Sequence, residues 1–358
     1  MSGLTISLEQ ALALRNRGAL LVDARTPAEF AEATIPGAIN VPLFDNEERA
    51  RVGLVYKEKG KGVASRLGVD LVAPKIPALV RQVDAALTGG QPPVVVFCWR
   101  GGMRSRALTT FLDLAGIPAR QLIGGHKTFR ALVRAFFESG EWGRVLVLRG
   151  LTGVGKTRLL LRLREEGYPV LDLEGLANHR GSAFGALGLD PQPGQKAFEA
   201  LLWDELRRVP PGGYVLAEGE SRHIGRLVLP PRVYQALQSE TTLWVNASLE
   251  CRARIILAEY PARDSLKSAF VRPLQALKPR LGGEILEQLL AHLEAGEWEA
   301  LARELMVRCS GPLYEHTRPA DRIEIDIEPE AEGMARLKEA IGTVLRQPEA
   351  AREVRRGD

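Results

Sequence analysis

The stretch "VLVLRGLTGVGKT", residues 145–157, decides how the chain is read. Apolar β-formers lead into a glycine turn, and "RLLLRLREE" continues as a helix. A strand passing through Gly-x-x-x-x-Gly-Lys-Thr into a helix is the Walker A pattern. Gly150, Gly153 and Gly155 allow backbone N–H groups to wrap a diphosphate. Lys156 then neutralises the outer phosphate, and the Thr157 hydroxyl can hold Mg²⁺. Such a loop grips polyphosphate without specifying the molecule attached to it.

Working downstream, "YPVLDLE", "GYVLAEGE", "TTLWVNA" and the late "DRIEIDI" read as strands between helices, the pattern of a parallel α/β sheet. Asp172, closing "YPVLD", is placed to reach a metal through water or to cap a helix. Residues 251–306 read as mostly helical, and the tail "PEAAREVRRGD" as a frayed, solvated end over 348–358. Upstream, the hydrophilic break "ESGEWG" at 138–143 marks a boundary, giving expected domains at 1–138 and 144–347. A length of 358 residues also favours two cores over one.

The first domain is α/β as well. "SLEQALALRNRG" opens a helix with a capping box, Ser7 with Gln10. The strand "ALLVDAR", a short helix and a turn-rich loop around Pro36 and Gly37 follow. A helix from about Ile76 to Leu87 precedes the strand "VVVF", and another from about Arg104 to Ala115 follows it.

Between them lies "CWRGGMRS", residues 98–105. A strand ending in Cys-x-x-Gly-Gly and opening into a helix forms a cup of N–H groups polarised by the helix terminus. Gly101 and Gly102 keep Cβ atoms out of that cup, while Arg100 and Arg104 add positive charge, so a thiolate at Cys98 is favoured. The bland alternative is a buried cysteine beside an ordinary turn. Two chemistries suit the cup. The spacing from Cys98 to Arg104 is that of a cysteine-dependent phosphatase loop. Alternatively, "DARTPAEF" with "IPGAINVP" resembles the first signature of rhodanese domains, in which the cysteine carries a terminal chalcogen. The rhodanese resemblance covers far more of residues 1–135, with Thr34 where many rhodaneses have His.

Three cysteines, Cys98, Cys251 and Cys309, are too far apart for a disulfide framework or a zinc knuckle. The chain has 38 Arg against 10 Lys, a ratio that suits phosphate recognition and that a GC-rich genome also produces. A net charge of +4 permits an anionic partner without requiring one. "MSGLTISLEQ" lacks a signal-peptide pattern and no apolar run reaches ~18 residues, so a soluble, cytoplasmic protein is expected. The oligomeric state is open.

Taken together, the two halves resemble the bacterial tRNA 2-selenouridine synthases. The resemblance runs through "CWRGGMRS", "GGHKTFR" at 124–130, "GLTGVGKT", "DLEGLANHRGSAFG" at 172–185 and "EGESRHIG" at 218–225. It implies a rhodanese-like domain joined to a P-loop NTPase-like domain. The implied reaction replaces sulfur by selenium in wobble 2-thiouridine of tRNA. Geranyl diphosphate first gives an S-geranyl intermediate, and selenophosphate then supplies selenium. No tightly bound cofactor is expected; Mg²⁺ is an optional one. Cys98 matches the family's essential cysteine, with Arg100, Gly101, Gly102 and Arg104 around it. Gly150, Gly153, Gly155, Lys156 and Thr157 would hold diphosphate, with Thr157 and Asp172 toward Mg²⁺. Asn178, His179, Arg180 and Ser182 supply donors near that site, although His179 could simply satisfy a loop. Glu218, Glu220, Ser221 and Arg222 follow a strand's C-terminal end, where open α/β sheets bind ligands. His126 stands where the family has Tyr, and Gly311 in "GPLY" where it has Asp. The competing readings are a cysteine-dependent phosphatase with a regulatory P-loop domain and a non-catalytic tRNA-binding module.

Overall fold

The computed structural model describes residues 4–87, 93–239, 241–260, 263–310 and 318–346. Gly311 and the tail at 348–358 lie outside the described residues. Two compact units are formed, one from residues 1–140 with 194–204 and the other from 141–193 with 205–358.

The first unit is built on a five-stranded sheet of β1 (Thr5–Ile6), β2 (Leu20–Asp23), β3 (Ile39–Asn40), β4 (Val94–Phe97) and β5 (Ala119–Leu122), in the order β1-β5-β4-β2-β3. Every pairing is parallel. The four residues of β4 are all buried, as a central strand covered on both faces requires. Val22, Val94 and Val96 pack against Leu108 and Leu112 of the helix Met103–Leu114. The capping box at Ser7 forms, with its hydroxyl 3.2 Å from the amide of Gln10.

A helical stretch of this unit, Asn46–Val72, kinked at Gly60, falls where the sequence pattern assigned no element. It buries only Ala64, Gly68 and Val72, a short stripe of mostly small residues confined to its last third. Another arrives from far along the chain. Most of the helix Gln195–Leu206 joins the first unit, where Asp204 pairs with Arg15 at 2.5 Å, Glu199 with Arg130 at 2.7 Å, and Trp203 meets the edge of Phe129.

The second unit also has a five-stranded parallel sheet, formed by β6 (Arg144–Gly150), β7 (Val170–Leu171), β8 (Tyr214–Glu218), β11 (Thr242–Asn246) and β12 (Arg322–Asp326). Its order is β12-β11-β6-β8-β7, and a small antiparallel pair, β9 (His223–Ile224) with β10 (Leu227–Val228), stands apart. The central strand β6 runs directly into the glycine loop, and the chain adds β7 and β8 on one side of it before crossing to add β11 and β12 on the other. That is the switch point at which such sheets bind ligands. The strand in "YPVLDLE" is shorter than its pattern suggests. It stops at Leu171 because Asp172 takes the Gly175 amide at 2.7 Å and caps the helix Leu173–Ala177.

Five helices lie between Leu249 and Leu305. The last four, from Lys267 on, share a core of their own around Phe270, Leu274, Leu289 and Leu293. Among the described residues no helix is long and apolar enough to cross a membrane.

Candidate functional site

Cys98 follows β4 and is buried. Its Sγ accepts the Gly102 N–H at 3.2 Å and lies 3.2 Å from the Ser105 hydroxyl. Gln121 on β5 fixes the loop, its amide nitrogen donating to the carbonyls of Gly101 and Gly102 at 2.8 and 3.0 Å and to Ser105 Oγ at 3.0 Å. The Gly124-Gly125 turn packs directly on this loop. A Cβ on Gly125 would stand 2.1 Å from the Cys98 carbonyl oxygen and 2.5 Å from the Gly101 nitrogen, and φ is +58° there. Only glycine fits. The amides of His126 and Lys127 then donate to the carbonyls of Cys98 and Trp99.

Of the two arginines expected at the thiol, Arg100 is exposed and Arg104 is turned onto Glu29 at 2.5 Å. Burial works against ionisation of Glu29. Arg104, helped by the Thr26 amide and Arg25, nevertheless holds its carboxyl below the ordinary value. The rest of the "DARTPAEF" signature is buried beneath. Arg25 is bidentate to Asp23 and donates to the Ala33 carbonyl, while Thr34 donates to Asp23 at 2.9 Å. Thr34 thus supplies a donor to the buried acid. His126 is buried too, and its Nδ1 accepts from Arg25 at 3.2 Å. Burial first, then the charges of Arg25, Arg130 and Lys196, push its pKa down to about 3, so the ring is neutral.

In the second unit the glycine loop lies against the helix Leu249–Glu259, where Arg252 donates to the Thr152 carbonyl at 2.8 Å. The Thr157 hydroxyl donates to Glu174 at 2.8 Å. Asp172 is engaged in its helix cap, so the carboxylate that reaches Thr157 is that of Glu174. Glu220 adjoins it: a Cβ on Gly181 would meet both Glu220 carboxylate oxygens at 2.7 Å and a Glu174 oxygen at 3.0 Å. Burial raises both carboxyls, helped by Asp172 at Glu174 and by Glu174 at Glu220, which is pushed up to about 7, while the Lys156 charge opposes the rise. Glu218 is fully buried, accepts the Glu174 amide at 2.8 Å, and is pushed up to about 8, chiefly by burial.

The remaining predicted residues divide between lining and scaffold. Arg180, Ser182, Glu220 and Ser221 line a cavity that begins at the loop. His179 is packed against Gly185 and Gly225, where added Cβ atoms would approach its ring to 2.7 and 2.8 Å. It therefore holds the two sequence blocks together. Asn178 ends the helix Leu173–Ala177 in a left-handed conformation, and Arg222 is exposed.

The cavity, of about 360 Å³, contains residues that no motif announced. Beyond Lys156 and Thr157 its wall carries Glu259, Tyr260, Arg263 and Arg280 beside an apolar stretch of Phe184, Ile256, Phe270, Trp298, Leu305 and Met306. Most of the apolar ones come from helices after β11. Their only sequence signal is an apolar helical pattern, which reads equally as core.

Comparison with known proteins follows the same division. Residues 7–132 match the rhodanese-like domain family, and residues 143–304 match the tRNA 2-selenouridine synthase AAA domain. The tRNA 2-selenouridine synthase of Nitrosomonas eutropha is 37% identical over 264 residues, covering 73% of this chain and 68% of that protein. The synthase of Marinobacter nauticus is 38% identical over 287 residues, 75% of this chain and 77% of that one. The synthase of Chromohalobacter salexigens is 41% identical over 242 residues, 67% and 64% of the two chains. With a rhodanese-like unit whose central strand leads into Cys98 and a P-loop unit starting its helix at Lys156, this chain belongs to the tRNA 2-selenouridine synthase family.

Proposed function

We propose that the protein converts wobble 2-thiouridine in tRNA to 2-selenouridine through an S-geranyl intermediate, using geranyl diphosphate and selenophosphate. The observation that supports this most is the cavity in the second unit, which joins the phosphate loop to an apolar stretch that includes Phe184, Ile256, Leu305 and Met306. A prenyl diphosphate brings an anionic head and a hydrocarbon tail.

In the first step the uridine sulfur attacks C1 of the geranyl group. The C–S bond forms as the C–O bond to diphosphate breaks, and the N3 proton of the base leaves. Lys156 and the loop amides stabilise the departing charge, an interaction stronger in the transition state than in the substrate. Thr157 and Glu174 offer a hydroxyl and a carboxylate together, a donor pair that would hold Mg²⁺. Such an ion would add charge neutralisation at the leaving group. In the second step the selenium of selenophosphate adds at C2, the geranyl thiolate leaves and takes a proton, and water then cleaves the Se–P bond to release phosphate. Cys98, in its cup with the Gly102 amide on the sulfur, guides that selenium. A phosphatase would need Arg104 for its phosphoester, and that guanidinium is on Glu29.

The test is nucleoside mass analysis of thiolated tRNA incubated with the full chain, geranyl diphosphate and selenophosphate. S-geranyl-2-thiouridine followed by 2-selenouridine is expected. Selenium incorporation that never passes through the S-geranyl species would overturn the route.

A further inference from the structure

Among the described residues four cations line the cavity, Lys156, Arg180, Arg263 and Arg280, and none of them forms a salt bridge. Three are accounted for. Lys156 belongs to the phosphate loop. Arg180 donates to the Leu187 carbonyl at 2.8 Å and lies over the Tyr260 ring at 4.7 Å. Arg263 donates to the carbonyls of Leu257 and Tyr260 at 3.2 and 3.4 Å, at the end of the helix Leu249–Glu259. Arg280 is different. Its side chain makes no hydrogen bond among the described residues, and it is exposed although it lines the cavity. A side chain that is both stands where the cavity opens to solvent. The short helix that carries it, Lys278–Leu281, is anchored through Leu277 and Leu281 in the helical core, so its place does not depend on that charge. Later arginines of the unit, Arg303, Arg308, Arg322 and Arg336, each pair with a glutamate. Their charge is neutralised locally, and that of Arg280 is not.

A cavity of about 360 Å³ has the size of a small-molecule site. With a prenyl diphosphate inside, the tRNA backbone cannot follow its uridine in. The sulfur reaches C1 only if the base leaves its stack and enters through the opening, as happens where enzymes do chemistry on a nucleobase. The phosphodiester of that nucleotide then stays at the opening. Each such phosphate carries a negative charge, and a guanidinium fork matches its oxygens.

We infer that Arg280 holds the tRNA backbone phosphate beside the target uridine at the opening of the P-loop unit's cavity, while the base enters to meet the prenyl donor. This rests on reading the cavity as the geranylation site. Arg280 is then a binding residue for the RNA and takes no part in holding the diphosphate of the donor.

The test measures binding of thiolated tRNA, and of its isolated anticodon stem-loop, to the full chain over a salt series. The KM for geranyl diphosphate at saturating tRNA is measured separately. Arg280→Ala is expected to weaken binding of both RNAs by about threefold or more and to lower the slope of log affinity against log salt by about one. Arg280→Glu weakens them further, Arg280→Lys restores the slope, and the KM for geranyl diphosphate stays at its wild-type value. Arg272 is the control. It is exposed as well, but it stands two positions from both Phe270 and Leu274, which are buried, and so on the far side of its helix from them. Arg272→Glu is expected to leave RNA binding near wild type. Unchanged RNA affinity and slope in Arg280→Glu would overturn the contact, as would an equal loss in Arg272→Glu or a loss with whole tRNA but not with the stem-loop. A raised KM for geranyl diphosphate at unchanged RNA affinity would overturn it too, since Arg280 would then serve the donor. A wild type that binds tRNA and transfers no geranyl group would overturn the reading of the cavity instead, and the binding curves test Arg280 without it.

Discussion

Arg104 is held on Glu29, with its two terminal nitrogens 2.5 and 3.2 Å from the carboxylate oxygens. The pair joins the helix that starts just after the cysteine loop to the short helix of the "DARTPAEF" signature. Because the folded state holds the Glu29 carboxyl below its ordinary value, its stabilisation is present above the unfolded pKa. It is lost as pH falls through the folded one. Glu29→Gln should cost about 1 kcal/mol at neutral pH, with the difference from wild type vanishing in acid. Urea denaturation across that range measures it, and a difference that persists unchanged in acid would contradict the ionic origin.

Gly125→Ala tests the cysteine loop without touching the thiol. The added methyl meets the Cys98 carbonyl and the Gly101 nitrogen, so the loop must shift, at a cost of about 2–3 kcal/mol. Selenation should fall by more than tenfold while geranylation, assigned to the other unit, stays near wild type. Equal losses in both half-reactions would mean that the loop geometry is not specific to selenium transfer.

Glu218 makes stability depend on pH in the opposite sense. Its folded pKa of about 8 lies above the unfolded value, so the buried neutral acid favours folding at low pH. That contribution declines as pH rises above the unfolded pKa and is gone once it passes the folded one. One such proton corresponds to at most ~1.4 kcal/mol per pH unit. Glu218→Gln keeps an oxygen for the Glu174 amide and removes the titration, so it should flatten the loss of stability toward alkaline pH. Denaturation curves of equal slope for both proteins would show that Glu218 is not the titrating group.

Those residues show what the sequence disclosed. The glycine loop, the cysteine loop and the Ser7 cap were legible because each is a local pattern, set by residues within a few positions of one another. The partners of those patterns were not. Glu174 reaches Thr157 only because Asp172 ends its strand early, and Arg104 finds Glu29 across 75 positions of chain. The helix Asn46–Val72 carries glycines and solvent-facing Leu54, Tyr56 and Val69, which blur any apolar period. The apolar cavity wall was hidden for a related reason: Phe270, Trp298 and Met306 are spaced like ordinary core residues, and only the fold leaves space in front of them.

The most direct test of the account assays the two half-reactions separately in Lys156→Ala and Cys98→Ser, with and without ATP. Lys156→Ala removes the main cation at the departing diphosphate, a loss on the order of 3 kcal/mol that should slow geranylation by at least a hundredfold. It should spare selenation of tRNA already carrying the S-geranyl group. Cys98→Ser should show the converse and accumulate S-geranyl tRNA, and neither half-reaction should need ATP. An absolute requirement for ATP, or equal loss of both steps in either variant, would contradict the division of labour between Cys98 and Lys156.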